Sequence, residues 1–215
     1  MITDYADGTM ATHESMAKTM ATGAGAEAVA GGAALVLAIL GLAGLFPMIL
    51  ASIGVIAAGA AFLFEGAAVA ARHRRLALEA GGETAIETGM SAEIIGGLAG
   101  IAMGILALIG IETMPLLAIS AIVFGGTLLF GSPAVYRAGQ AEPGNHMMHE
   151  MARRTTAGAA GAQALVGIGA ITLGILALVG IVSQALVLVA VLSIGGAALL
   201  SGGALTSKMV SLLYH

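Results

Sequence analysis

Three polar residues recur at one position of a repeated unit. Glu27, Glu93 and Gln163 each precede a similar apolar run, spaced by sixty-six and then seventy residues. Set around a common axis, such side chains would form a polar ring at the mouth of a pore, of the kind that selects cations. A plainer role also fits, because a carboxylate at the start of a helix is stabilised by exposed N–H groups and the dipole at headgroup level, where it need not enter hydrocarbon. Glu65 is different, since it falls within an apolar run seven residues before Arg72. An ionisable group inside a membrane helix points to function, here a proton relay. Seven residues is about 10 Å of helix, so Glu65 is also within snorkelling reach of water. The residues aligned with it are Gly131 and Ser201, so by residue identity Glu65 stands outside any repeated site.

A second group is soft in character. His146-Met-Met-His149-Glu150-Met151 combines imidazole and thioether, a set that suits copper, and His13-Glu14-Ser15-Met16 echoes it nearer the N-terminus. Metal or haem binding through His13, His146 and His149 is one reading. The other is a membrane-surface helix, with Met filling an apolar face beside Arg153 and Arg154. His73, between Arg72 and Arg74, reads as part of a basic juxtamembrane cluster. There is no P-loop, no nucleophile elbow and no His-Glu-x-x-His, and no paired intramembrane carboxylates are expected, so the expectation is a protein that is not an enzyme and carries no cofactor.

The elements that must position these residues follow from composition. The 215-residue chain is 59% hydrophobic and 9% charged, with a mean hydropathy of +1.02. A water-soluble surface needs roughly 25–35% charged residues, so the chain belongs in a bilayer. Cysteine is absent, which removes disulfides and thiolate metal sites. The net charge of -4 and the scattered basic residues give no footprint for nucleic acid. The first segment carries Asp4, Asp7 and Glu14 where a secretory signal would need a basic start and an apolar core.

The run Gly97-Leu-Ala-Gly-Ile-Ala-Met-Gly-Ile-Leu-Ala-Leu-Ile-Gly110 returns almost unchanged at Gly167–Gly180 and more faintly at Gly31–Gly44. Each copy is followed by a short turn and a second apolar run. Apolar stretches at 28–46, 48–71, 94–111, 114–130, 164–181 and 182–200 are each long enough to cross a hydrocarbon core of about 30 Å. The expected fold is an all-α polytopic membrane protein, six transmembrane helices in three repeated hairpins, with additional cytoplasmic interfacial helices. Hairpins occupy 27–72, 93–137 and 163–208. An interfacial segment, 1–26, precedes them, with Met10, His13, Met16 and Met20 on one helical face. Connections at 73–92 and 138–162, long enough for amphipathic helices, join the hairpins, and 209–215 is a tail.

Three sets of glycines coincide when the copies are aligned: Gly31, Gly97 and Gly167 early in the first helix, Gly44, Gly110 and Gly180 at its end, and Gly59, Gly125 and Gly195 within the second. In a bilayer, glycine lets backbones approach closely, so these sites, together with the pair Gly100 and Gly104, predict helix contacts. Whether the contacted helix is in the same chain is open at this point. All eight basic residues, Lys18, Arg72, Arg74, Arg75, Arg137, Arg153, Arg154 and Lys208, fall outside the hairpin turns. The positive-inside rule then places the connections and both termini in the cytoplasm.

Gly41-Leu-Ala-Gly-Leu-Phe-Pro47 with Gly59, and Gly104-Ile-Leu-Ala-Leu-Ile-Gly110 through Pro115 with Gly125, resemble the short repeat of HdeD-like membrane proteins. The resemblance implies a bacterial inner-membrane protein linked to acid or envelope stress, without catalytic residues to carry over. The leading expectation is a non-enzymatic membrane protein acting through helix packing, as a stress-related component or an accessory subunit. Its partners would be the lipid bilayer and either itself or a larger membrane complex. The alternative is a small channel or transporter with Glu27, Glu65 and Glu93 near the path.

Overall fold

The computed structural model describes residues 25–80, 87–140, 146–181 and 183–213. They form six α-helices and no strand: α1 (Gly25–Leu42), α2 (Pro47–Ala80), α3 (Glu87–Leu108), α4 (Thr113–Gln140), α5 (His146–Leu178) and α6 (Ser183–Leu213). Five are long and apolar enough to cross a membrane, and α3 has a slightly shorter apolar stretch, Ala92–Leu108. At 1.5 Å per residue that stretch is still about 25 Å long. Large apolar side chains cover the outside of the bundle, among them Val29, Phe46, Phe130, Leu165, Val179 and Leu200, all at least 68% exposed. Such a surface is stable against lipid and not against water. The chain is a polytopic helical membrane protein.

The hairpin turns are built alike. α1, α3 and α5 each stop at a glycine in the left-handed region, Gly44, Gly110 and Gly180, with φ of 92°, 92° and 88°. The Leu45 N–H reaches back to Leu40 O and the Gly44 N–H to Gly41 O. Ile111 and Gly110 do the same to Leu106 and Ala107, and Ile181 and Gly180 to Leu176 and Ala177. These are Schellman closures, which satisfy carbonyls that the helix end leaves without partners. Pro47 then opens α2 at a position whose missing N–H costs nothing, while the Leu50 N–H bonds to Phe46 O. The first helices of the hairpins therefore end about one turn earlier than hydropathy suggests, because the apolar run continues through the turn.

At the other end the helices run on. α2 passes Arg72 and reaches Ala80, α4 reaches Gln140, and α5 begins at His146. Where the connections allow separate amphipathic helices, their described residues instead prolong the membrane-crossing helices. Residues 1–24 of the interfacial segment 1–26 lie outside the described residues, and its last two open α1.

α2, α4 and α6 touch one another and form the centre. Their inward stripe follows a four-then-three spacing. Ala51, Leu117 and Val187 make one layer; Val55, Ala121 and Val191 the next; then Ala58, Phe124 and Ile194; then Phe62, Leu128 and Ala198. Every one of these side chains is at most 7% exposed. Each layer combines large and small residues, as a close-packed core requires. The Phe62 and Phe124 rings lie 5.1 Å apart at 31°, and Gly100 on α3 leaves the room that Phe124 occupies.

α1, α3 and α5 pack outside this core. A Cβ at Gly59 on α2 would lie 2.7 Å from Gly97 O on α3, one at Gly125 on α4 2.5 Å from Gly167 O on α5, and one at Gly195 on α6 2.8 Å from Gly31 O on α1. Helix backbones this close are held by dispersion and weak Cα–H···O contacts. One rule covers all three contacts: the second helix of a hairpin meets the first helix of the next, and the last hairpin closes on the first. A lower tier repeats it, with Gly104 against Ser52 O and Gly174 against Ala118 O.

Candidate intramembrane carboxylate site

The core stripe of α2, α4 and α6 continues one step past Phe62, Leu128 and Ala198. That step lands on Glu65, Gly131 and Ser201, where the apolar stripe turns polar. On the outer helices the same level carries Glu27, Glu93 and Gln163. Six positions, one from each helix, therefore meet at one end of the bundle. Glu65 is eighteen residues beyond Pro47, so about 27 Å of helix separates this level from the hairpin turns. Each position lies within one helical turn of the end of its apolar stretch, for example Glu65 before Ala68, Ser201 before Gly202 and Glu93 after Ala92.

Glu27 is only 2% exposed and Glu93 4%. The Ser201 hydroxyl is hydrogen-bonded to Glu27 Oε1 and lies 3.1 Å from Ala198 O. The Gln163 amide donates from Nε2 to Glu65 Oε1 at 3.4 Å. Glu93 has Glu65 and Glu27 as its acidic neighbours. Its Oε1 lies 2.7 Å from where a Gly131 Cβ would stand, so the absence of a side chain at Gly131 gives the carboxyl its place. Glu93 Oε2 is buried without a hydrogen-bond partner.

The plainer reading of the repeated polar position does not hold for Glu93 and Gln163. α3 begins at Glu87 and α5 at His146, so both residues sit inside helices whose local N–H groups are already bonded. They are not capping helix N-termini. The separation of Glu65 from any repeated site also fails. Glu65, Gly131 and Ser201 do occupy one level, and their roles there complement one another: a charge, a space and a donor. Sequence identity concealed this, because the three residue types share no chemistry. Ser201 and Gly131 are the members that the sequence did not nominate. The signal that finds them is the four-then-three register of the buried stripe.

The glycines lie elsewhere. Gly31, Gly59, Gly97, Gly125, Gly167 and Gly195 join neighbouring helices, Gly100 and Gly104 fit against Phe124 and α2, and Gly44, Gly110 and Gly180 form the turns. His13 lies outside the described residues, as do the side chains of His146 and His149 at the start of α5. Among the described residues no group of three or more His, Asp or Glu is arranged to hold a metal ion, and none of the described side chains is basic.

Three carboxyls gathered in a low-dielectric enclosure repel one another when all are charged, and burying an unpaired anion is costly. The arrangement asks for a positive species. No family model, curated protein or solved structure matches the chain, so the resemblance to HdeD-like proteins rests on the hairpin motifs alone.

Proposed function

We propose that this protein is a non-enzymatic cation-binding membrane protein of the transporter type, with its binding site at the Glu27, Glu65 and Glu93 level. The observation that carries this reading is the convergence of three carboxyls, one of them with a buried, unpartnered oxygen, at the end of a core whose other buried polar side chains are the hydroxyls of Ser52, Ser120 and Thr127, each bonded to a carbonyl of its own helix. Intramembrane carboxyls that face a bundle interior mark ion and proton pathways. Beneath the site, four apolar layers fill the axis, which favours an occluded site reached from one side over an open pore. By the positive-inside rule that side is the cytoplasm, where both termini also lie, and the resemblance to HdeD-like proteins makes the membrane a bacterial inner membrane.

The role of a packing component or accessory subunit has less support. The contact glycines Gly31, Gly59, Gly97, Gly104, Gly125, Gly167 and Gly195 all meet helices of the same chain, and so offer no ready face to a partner. A stress-related role and self-association rest on the family resemblance and on composition.

The test is flux. The full-length protein is reconstituted in liposomes, and cation movement down an imposed gradient is followed with internal dyes for H⁺, Na⁺ and K⁺. The expected result is flux above that of protein-free vesicles for at least one of these ions, abolished by Glu93→Gln and retained by Gly126→Ala. Folded wild-type protein that leaves all three gradients intact contradicts the reading.

A further inference from the structure

We propose that the species held among Glu27, Glu65 and Glu93 is a proton, carried by Glu93 and shared with its two acidic neighbours. This rests on the reading of the level as a cation site, and it names the ligand.

The donor geometry supplies the argument. A divalent metal needs many oxygens around one point, six for Mg²⁺ and six to eight for Ca²⁺. Here the first oxygen of each carboxyl already has its own neighbour. Glu65 Oε1 receives the Gln163 amide, Glu27 Oε1 is bonded to Ser201, and Glu93 Oε1 is lodged against Gly131. Among the described residues no group of three or more acidic side chains is arranged to hold a metal ion, and Glu93 Oε2 is buried without a hydrogen-bond partner on a side chain only 4% exposed. One buried oxygen suits a proton, which needs one covalent bond and one acceptor.

The hydrogen bonds of Ser201 point the same way. Its hydroxyl has one proton and two oxygens within reach, Glu27 Oε1 and Ala198 O. If Glu27 carries a proton, it donates to Ser201 Oγ and the serine donates to Ala198 O, so that both bonds are made. With Glu27 ionised, only one of the two can be. Facing this group are Glu27 from α1, Glu65 from α2, Glu93 from α3, Gln163 from α5 and Ser201 from α6, while α4 contributes Gly131. Among the described side chains at this level, the glutamates alone titrate, and none is basic. Loading the site transfers H⁺ from hydronium to a carboxylate oxygen and releases one water. One O–H bond of hydronium breaks and one carboxyl O–H bond forms, with no change of oxidation state.

The experiment is infrared difference spectroscopy on the full-length protein in liposomes near neutral pH, in H₂O and D₂O, with flux measured on the same preparations. The expected result is a protonated-carboxyl C=O band that shifts in D₂O, is lost or strongly reduced in Glu93→Gln, and moves in frequency in Gly131→Ala, whose new methyl pushes on Glu93. Added Na⁺, K⁺, Mg²⁺ or Ca²⁺ leaves the band in place. A wild-type spectrum containing carboxylate bands alone overturns the proposal. So does a band that disappears when one of the metal ions is added, although that outcome preserves the cation-site reading. A band that behaves as expected in protein without flux supports the proton and removes the transport reading. The helical circular dichroism of each variant shows whether it has folded, and Gly131→Ala keeps the test decisive if Glu93→Gln does not fold.

Discussion

Glu65 and Gln163 are 98 positions apart in the chain, yet the Gln163 amide donates to the Glu65 carboxyl at 3.4 Å. This bond joins the first hairpin to the third. The Ser201–Glu27 bond ties the same two hairpins at the same level. Gln163→Leu removes the donor and leaves a half-buried carboxyl oxygen of Glu65 without it, at a cost of about 1 kcal/mol. Thermal unfolding of the detergent-solubilised protein, followed by helical circular dichroism, measures this. An unchanged midpoint would show that the bond contributes nothing.

Two adjacent glycines separate packing from propensity. A Cβ at Gly125 would stand 2.5 Å from Gly167 O, whereas one at Gly126 meets nothing within 4 Å. Gly125→Ala is expected to destabilise by about 1–3 kcal/mol through forced separation of α4 and α5. Gly126→Ala should be neutral, or stabilising by up to about 1 kcal/mol from better helix propensity. Equal effects at the two sites would contradict the close approach of these helices.

Gly100 and Phe124 form a complementary pair, because a methyl at Gly100 would overlap the Phe124 ring. Gly100→Ala alone should destabilise, and so should Phe124→Leu alone. Combined, they should cost less than their sum, with a coupling of about 0.5–3 kcal/mol. A double-mutant cycle in the same unfolding assay checks this, and additive effects would argue that the two residues do not touch.

Gly110 isolates backbone strain. Its φ is 92°, and a Cβ there would meet nothing within 4 Å. Gly110→Ala should therefore cost about 1–2 kcal/mol through conformation alone. Gly169→Ala, a change inside α5 that is equally free of neighbours, should not destabilise. A tolerated alanine at Gly110 would contradict the Schellman turn.

The hairpin architecture was legible in the sequence because hydropathy, the turn glycines and the placement of Arg and Lys agree. Helix ends were less so. Apolar residues such as Leu45 and Ile111 continue through the turns, and the helices extend past Arg72 and Glu93 into polar sequence that hydropathy reads as connection. The inner and outer roles of the helices were hidden for a related reason. In a chain this apolar, lipid-facing Ile105 and core-facing Leu117 look alike, so no hydrophobic stripe marks the centre. Glu27, Glu65 and Glu93 were recognisable as candidates one by one. Their meeting was not, since it depends on which helix neighbours which, and on Gly131 and Ser201, whose residue types carry no signal.

The first and last hairpins close on each other at the carboxylate level. The chain has no cysteine, so Glu27→Cys with Ser201→Cys introduces the only two thiols, on side chains that touch in the native protein. Mild oxidation in native membranes should link them efficiently within one chain, seen as a reductant-sensitive mobility shift of the monomer band. Failure to crosslink, or crosslinking only between chains, would contradict the closed bundle and the single site it creates.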